Sequence, residues 1–152
     1  MIRIGYLYAD PLVHADGCTS VPRIDFHRES KQIRMQLEDV HVSVEWLQAI
    51  ATVKNLEAML KEGLDFLHYS GHGTPGGISF EASVGEEDSK SNSAGQHGNT
   101  PPPSLGQEVL IDSIQLETLL KTVEPARRPK CVLVSACHSQ SVAHVFAEAG
   151  ST

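Results

Sequence analysis

Leu64-Asp65-Phe66-Leu67-His68-Tyr69-Ser70-Gly71-His72-Gly73 and Cys131-Val132-Leu133-Val134-Ser135-Ala136-Cys137-His138-Ser139 follow one plan. Each is a short apolar run that halts on a reactive side chain, His72 in the first and Cys137 in the second. Runs of this length, bounded by Gly or small polar residues, read as buried strands of a parallel sheet. Parallel strands deliver their C-terminal ends to one edge, where open α/β sheets hold their sites. If the two runs are neighbours, an imidazole meets a thiol there, the minimum equipment for nucleophilic catalysis by cysteine.

The flanking sequence supplies the rest of such a sheet. Ile2 to Tyr8 reads as a first strand closed by Ala9-Asp10-Pro11, with loop following to Val21-Pro22. Asp25 to about Asp39 reads as a helix, with Phe26, Ile33, Leu37 and Val40 near helical spacing. Val42, Val44 and Trp46 alternate with polar residues as a second strand. Thr52 caps a helix through Lys61 that Gly63 ends. After the His72 strand, Ile78-Ser79-Phe80 forms a short extension. Asp112 or Ser113 caps a helix carrying Ile114, Leu116, Leu119, Leu120 and Val123, and a last amphipathic helix covers Ser141 to Ala149. No internal repeat stands out. The alternation of strands and helices predicts an α/β fold, a parallel sheet with helices on both faces. Right-handed crossovers, with the His72 and Cys137 strands adjacent, predict the order 2-1-3-4 and leave the fourth strand as an exposed edge.

Ala82 to Gly106 differs in kind. It is rich in Ser, Gly, Asn and Glu, contains Pro101-Pro102-Pro103, and carries only Val84 and Leu105 as sizeable apolar residues. So little apolar surface cannot offset the entropy of ordering, so 82–106 reads as a flexible insertion within a single domain spanning 1–152. Following the turn after His72, it is expected to emerge at the edge that holds the site.

Composition narrows the function. The 152 residues carry 12 Lys and Arg against 19 Asp and Glu, a formal net charge of -7. That balance disfavours nucleic acid, whose phosphates demand clustered cations, and Arg127-Arg128-Pro129-Lys130 reads as a solvated turn. No apolar run reaches the roughly 20 residues of a membrane helix, and Met1-Ile2-Arg3-Ile4 enters a strand directly without a leader pattern. Three cysteines, an odd number, fit a reduced interior, so a soluble cytoplasmic setting is expected. Cys18 falls in a polar loop, and Cys131 is expected to face the core as a small hydrophobe. His68 reads as a core residue, and His14, His27, His41, His97 and His144 have no visible partner. A metal centre built from His68, His72, Cys137 and His138 matches no standard zinc spacing, and strand alternation turns Cys137 and His138 to opposite sides, so no metal or cofactor is expected.

A thiol attacks as its thiolate and needs a proton acceptor or nearby positive charge. Cys137 closes a strand just ahead of a helix, whose N-terminus carries partial positive charge and free N–H groups. Gly71 and Gly73 flank the imidazole and admit close backbone approach. The N–H groups of Gly73 and Cys137 can together receive a developing oxyanion.

Tyr69-Ser70-Gly71-His72-Gly73 and Ser135-Ala136-Cys137-His138-Ser139 resemble the histidine and cysteine motifs of the caspase-like superfamily, and most nearly the CHAT domain often found beside TPR repeats. Tyr6 to Leu12, Ala51 to Leu56 and Gly76 to Glu81 are similar to that domain's opening strand, second helix and post-histidine turn. The resemblance implies a caspase-like three-layer sandwich and hydrolysis of protein or peptide substrates by a Cys-His dyad without a metal. His72 is then the general base, Cys137 the nucleophile, and Gly73 with the Cys137 N–H the oxyanion hole. Metacaspases have an acidic residue two before the cysteine that selects basic side chains; Ser135 stands there in this chain. Asp10, ending the first strand, is a candidate substrate-binding residue instead, although a turn role also fits an Asp-Pro pair. The resemblance further implies strands beyond the last helix that complete the specificity pocket, which Thr152 does not reach. That departure motivates a second expectation, a CHAT-like regulatory or interaction module, inactive or dependent on a TPR-type or other partner.

Overall fold

The computed structural model describes residues 1–39, 41–83 and 106–150. Strand β1 (Ile2–Tyr8) pairs in parallel with β2 (Val44–Ile50) on one side and β3 (Phe66–Ser70) on the other, and β3 pairs with β7 (Cys131–Ser135). The sheet order β2-β1-β3-β7 is the predicted 2-1-3-4. Three short strands, β4 (Gly73–Thr74), β5 (Gly77–Glu81) and β6 (Glu108–Ile111), form an antiparallel sheet beside it.

The helices form where the sequence supplies caps. In α1 (Phe26–Glu38) the Asp25 carboxylate accepts from the Arg28 N–H; in α2 (Val53–Glu62) the Thr52 hydroxyl accepts from Asn55. Gly63 closes α2 at φ 76, a left-handed conformation that glycine takes without strain. A capping box between Asp112 and Gln115 opens α3 (Ser113–Lys121). A 3-10 turn at Pro125–Arg127 leads into β7, and α4 (Gln140–Gly150) follows.

Strand parity divides these elements into layers. Leu7, Leu67 and Tyr69, with half-buried Leu47, Ala49, Val132 and Val134, face one side. There they pack against Leu56, Met59 and Leu60 of α2, Leu116 and Leu120 of α3, and Val142 and Phe146 of α4. Ile78, Phe80 and Ile111 of the small sheet close the same core. The opposite face meets α1, where Phe26 packs on Tyr8 with ring centroids 5.4 Å apart, and Glu29 reaches Tyr6 and Ser70.

Three expectations need amendment or fall outside this description, and one strand carried no expectation. The second strand lies at Val44–Ile50, not Val42–Trp46, because its full length pairs with β1, from Ile2 against Val44 to Tyr8 against Ile50. Cys131 does not face the core: it sits opposite Phe66 on the α1 side of the sheet and is exposed, as are Leu133 (56%) and Phe66 (42%). Strand β6 was not read from the sequence; its four residues gain strand form by pairing with β5. The insertion predicted at 82–106 lies outside the described residues except for Ala82, Ser83 and Gly106. Its two ends adjoin, since the Ala82 N–H donates to the Gln107 carbonyl at 3.0 Å. Among the described residues, β7 has a strand partner on one side only, as its edge position requires.

Candidate functional site

Ser70 and Ser135 are register partners at the ends of β3 and β7, so the strands stop at one level. His72 and Cys137 each stand two residues beyond it, outside the strands, with Cys137 in a turn. The Gly71 N–H donates to the Ser135 carbonyl at 3.1 Å, carrying the pairing one step past the sheet. Gly73 then lies against the Cys137 turn. A Cβ on Gly73 would collide with the Cys137 carbonyl oxygen and stand 3.3 Å from Ala136 Cβ. The two motifs are therefore in backbone contact at the C-terminal edge.

His72 is held at both its backbone and its ring. Its carbonyl accepts the Ser79 N–H at 3.0 Å and lies 3.3 Å from the Tyr69 hydroxyl, which also donates to the Ser79 carbonyl. Its Nε2 lies 2.7 Å from the Pro22 carbonyl oxygen. A carbonyl only accepts, so Nε2 carries the proton in this contact, and the neutral ring presents Nδ1 as the acceptor. Pro22 was not marked by the sequence; a backbone carbonyl leaves no residue-type signal. Cys137 is exposed, in a turn ahead of the first residue of α4. Its neighbour His138 has φ 53, the left-handed region that L residues seldom occupy and that recurs at functional turns.

Asp10 and Ser135 are both at this edge but differently engaged. Asp10 Oδ2 pairs with Arg23 Nη2 at 2.5 Å, and the Asp10 N–H donates to Glu81 Oε1 at 2.9 Å. Asp10 Oδ1 is buried without a hydrogen-bond partner. Ser135 Oγ lies 3.1 Å from His68 Nε2, which is 3.5 Å from Glu29 Oε1. Glu29 Oε2 accepts from the Tyr6 hydroxyl at 2.8 Å and the Ser70 hydroxyl at 2.6 Å. His68 is thus a half-buried member of a polar cluster. Desolvation holds its imidazole below the ordinary value, and the Glu29 carboxylate opposes that without reversing it. Burial, reinforced by Glu29, raises the Tyr6 hydroxyl.

A second polar cluster escaped the sequence reading. His14 Nδ1 lies 2.7 Å from Glu108 Oε2, and the buried Ser79 hydroxyl donates to Glu108 Oε1. Burial alone would raise the Glu108 carboxyl, but the Ser79 and His14 hydrogen bonds together outweigh it and its value falls. The carboxylate stands between hydroxyl and imidazole, so the imidazole has no contact with the hydroxyl it would need to activate. This arrangement ties the 13–20 loop to β6. Among the described residues no group of three or more His, Cys, Asp or Glu side chains is placed to hold a metal ion, and no helix is long and apolar enough to cross a membrane.

No protein-family model matches the chain, and no curated protein matches it.

Proposed function

We propose that this chain is a caspase-like cysteine endopeptidase domain of the CHAT type, with His72 as general base and Cys137 as nucleophile. The observation that carries the reading is the backbone contact between Gly73 and Cys137 at the end of two adjacent parallel strands. It holds both motifs at one edge, where an exposed thiol can receive a peptide.

The step follows from the ring's fixed orientation. With the Nε2–H on Pro22, Nδ1 accepts the thiol proton as sulfur attacks the substrate carbonyl. The carbonyl electrons move onto oxygen, which Gly73 and Cys137 N–H groups receive. The intermediate collapses as His72 returns the proton to the leaving amine. A water then gives its proton to His72, attacks the thioester and releases the acid and the thiol. The dyad carries this chemistry by itself, with protein or peptide as substrate.

Cys18, Cys131 and Cys137 are all exposed, so alkylation distinguishes activation from access. In native protein Cys137 is expected to react with iodoacetamide at least about tenfold faster than the other two, and His72→Ala to abolish the difference. Equal rates for all three thiols would end this reading. Three unpaired thiols also suit a reducing, intracellular setting.

One observation favours a second reading, a CHAT-like module that works by binding. Leu133 and Phe66 are exposed beside the open edge of β7, a surface suited to a regulatory partner such as a TPR-type protein. Turnover of no peptide substrate by a chain whose Cys137 is nevertheless activated would select it.

A further inference from the structure

Asp10 lies two residues beyond β1, and its backbone is fixed by the Glu81 carboxylate, while the Ala9 N–H donates to the Ser70 carbonyl at 3.0 Å. Its side chain is only 13% exposed, Oδ1 has no hydrogen-bond partner, and the Arg23 guanidinium stands 2.5 Å from Oδ2. Arg23 is 69% exposed and follows Pro22, whose carbonyl orients His72. On the other side of Pro22, Val21 is buried at 4% exposure, and its N–H donates to the Leu12 carbonyl at 3.2 Å. The segment bearing that carbonyl is thus held at two points, an apolar anchor before it and an ion pair after it.

We infer that the Asp10–Arg23 ion pair is a positioning latch for the general base. It holds the Pro22 carbonyl against the His72 ring, and so fixes the orientation of that ring at the edge that carries Cys137. The inference rests on the dyad reading for its consequence in catalysis, but not for the latch itself. Asp10 then acts within the chain and not on substrate. The geometry is economical for this role. Asp10 is fixed to the sheet that carries His72, and one ion pair transmits that position through a single peptide unit. A mostly buried carboxylate makes the pair stronger than one between two exposed groups, since breaking it strands a charge in a poorly solvated position. Because Arg23 is exposed, truncating it removes no core contact, and the protein is expected to remain folded.

The test reads the ring and the thiol separately. In wild-type protein at low temperature, the His72 Nε2–H is expected as a proton resonance protected from exchange with water. Arg23→Ala is expected to speed that exchange about three- to tenfold, the population change one partly buried ion pair can produce. Arg23→Lys retains the charge and should retain protection, and Asp10→Asn should reproduce the loss. Cys137 alkylation should slow in Arg23→Ala and recover in Arg23→Lys. Unchanged ring-proton exchange in folded Arg23→Ala would overturn the latch, whatever the thiol does. Faster exchange with unaltered Cys137 alkylation would uphold the latch and instead sink the dyad.

Discussion

Gly73 presses so closely on the Cys137 carbonyl oxygen that no side chain, not even a methyl group, fits between the two motifs. A backbone atom cannot yield as a flexible side chain does. Gly73→Ala should therefore push the histidine and cysteine turns apart, at a cost of about 1–3 kcal/mol of stability. Urea denaturation checks the cost. Iodoacetamide labelling checks the geometry, with the Cys137 rate expected to fall toward that of Cys18.

Tyr69 offers a way to loosen the His72 turn without touching the site. Its buried hydroxyl serves the Ser79 carbonyl and lies beside the His72 carbonyl. Tyr69→Phe keeps the ring that packs on Phe80, 5.8 Å between centroids, and removes only that donor. An expected loss of about 1–3 kcal/mol follows from leaving a buried acceptor unsatisfied. Thermal unfolding measures it, and amide exchange at Gly71 to Gly73 should accelerate in the variant.

His68 predicts a dependence of stability on mildly acidic pH. Its folded value lies below the ordinary 6.5 because burial disfavours the charged ring. The folded state therefore binds fewer protons than the unfolded chain in this range. The resulting stability is complete above 6.5 and is lost as pH falls through the lower folded value. Denaturant titrations from pH 8 to pH 5 should show that decline in wild type, and His68→Gln should flatten it.

Glu108 acts in a more acidic window with the same sign. Its folded value lies below the ordinary 4.5, so its contribution is present above that value and lost as pH falls through the folded one. Protonation leaves the Ser79 and His14 contacts without their charged acceptor. Glu108→Gln should reduce stability at pH 7 and remove part of the loss seen below pH 4.5. An unchanged acid profile in this variant would assign the loss to other carboxylates, such as Asp65, which Lys130 and the Arg3 N–H hold low.

Much of the main sheet was legible because its signals are local. The caps at Asp25, Thr52 and Asp112 and the stop at Gly63 are written in single residues whose side chains or φ freedom end a helix. Apolar runs marked β1, β3 and β7, and right-handed crossovers arranged them. Candidates at both ends of the site were legible for the same reason: a run that stops on His or Cys is visible without a partner.

What tertiary structure alone decided depends on neighbours distant in the chain. Cys131 faces away from the core because its register partner is Phe66, and the neighbouring Phe66 and Leu133 are exposed with it; burial of a strand position depends on what lies above it. Strand β6 exists through its pairing with β5, having too few residues to announce itself. The Pro22 carbonyl meets the His72 ring across fifty residues, and Arg23 finds Asp10 across a folded loop. Every residue contributes the same backbone carbonyl, so sequence can name the imidazole and the thiol, while only the folded chain can choose the backbone oxygen that meets the imidazole.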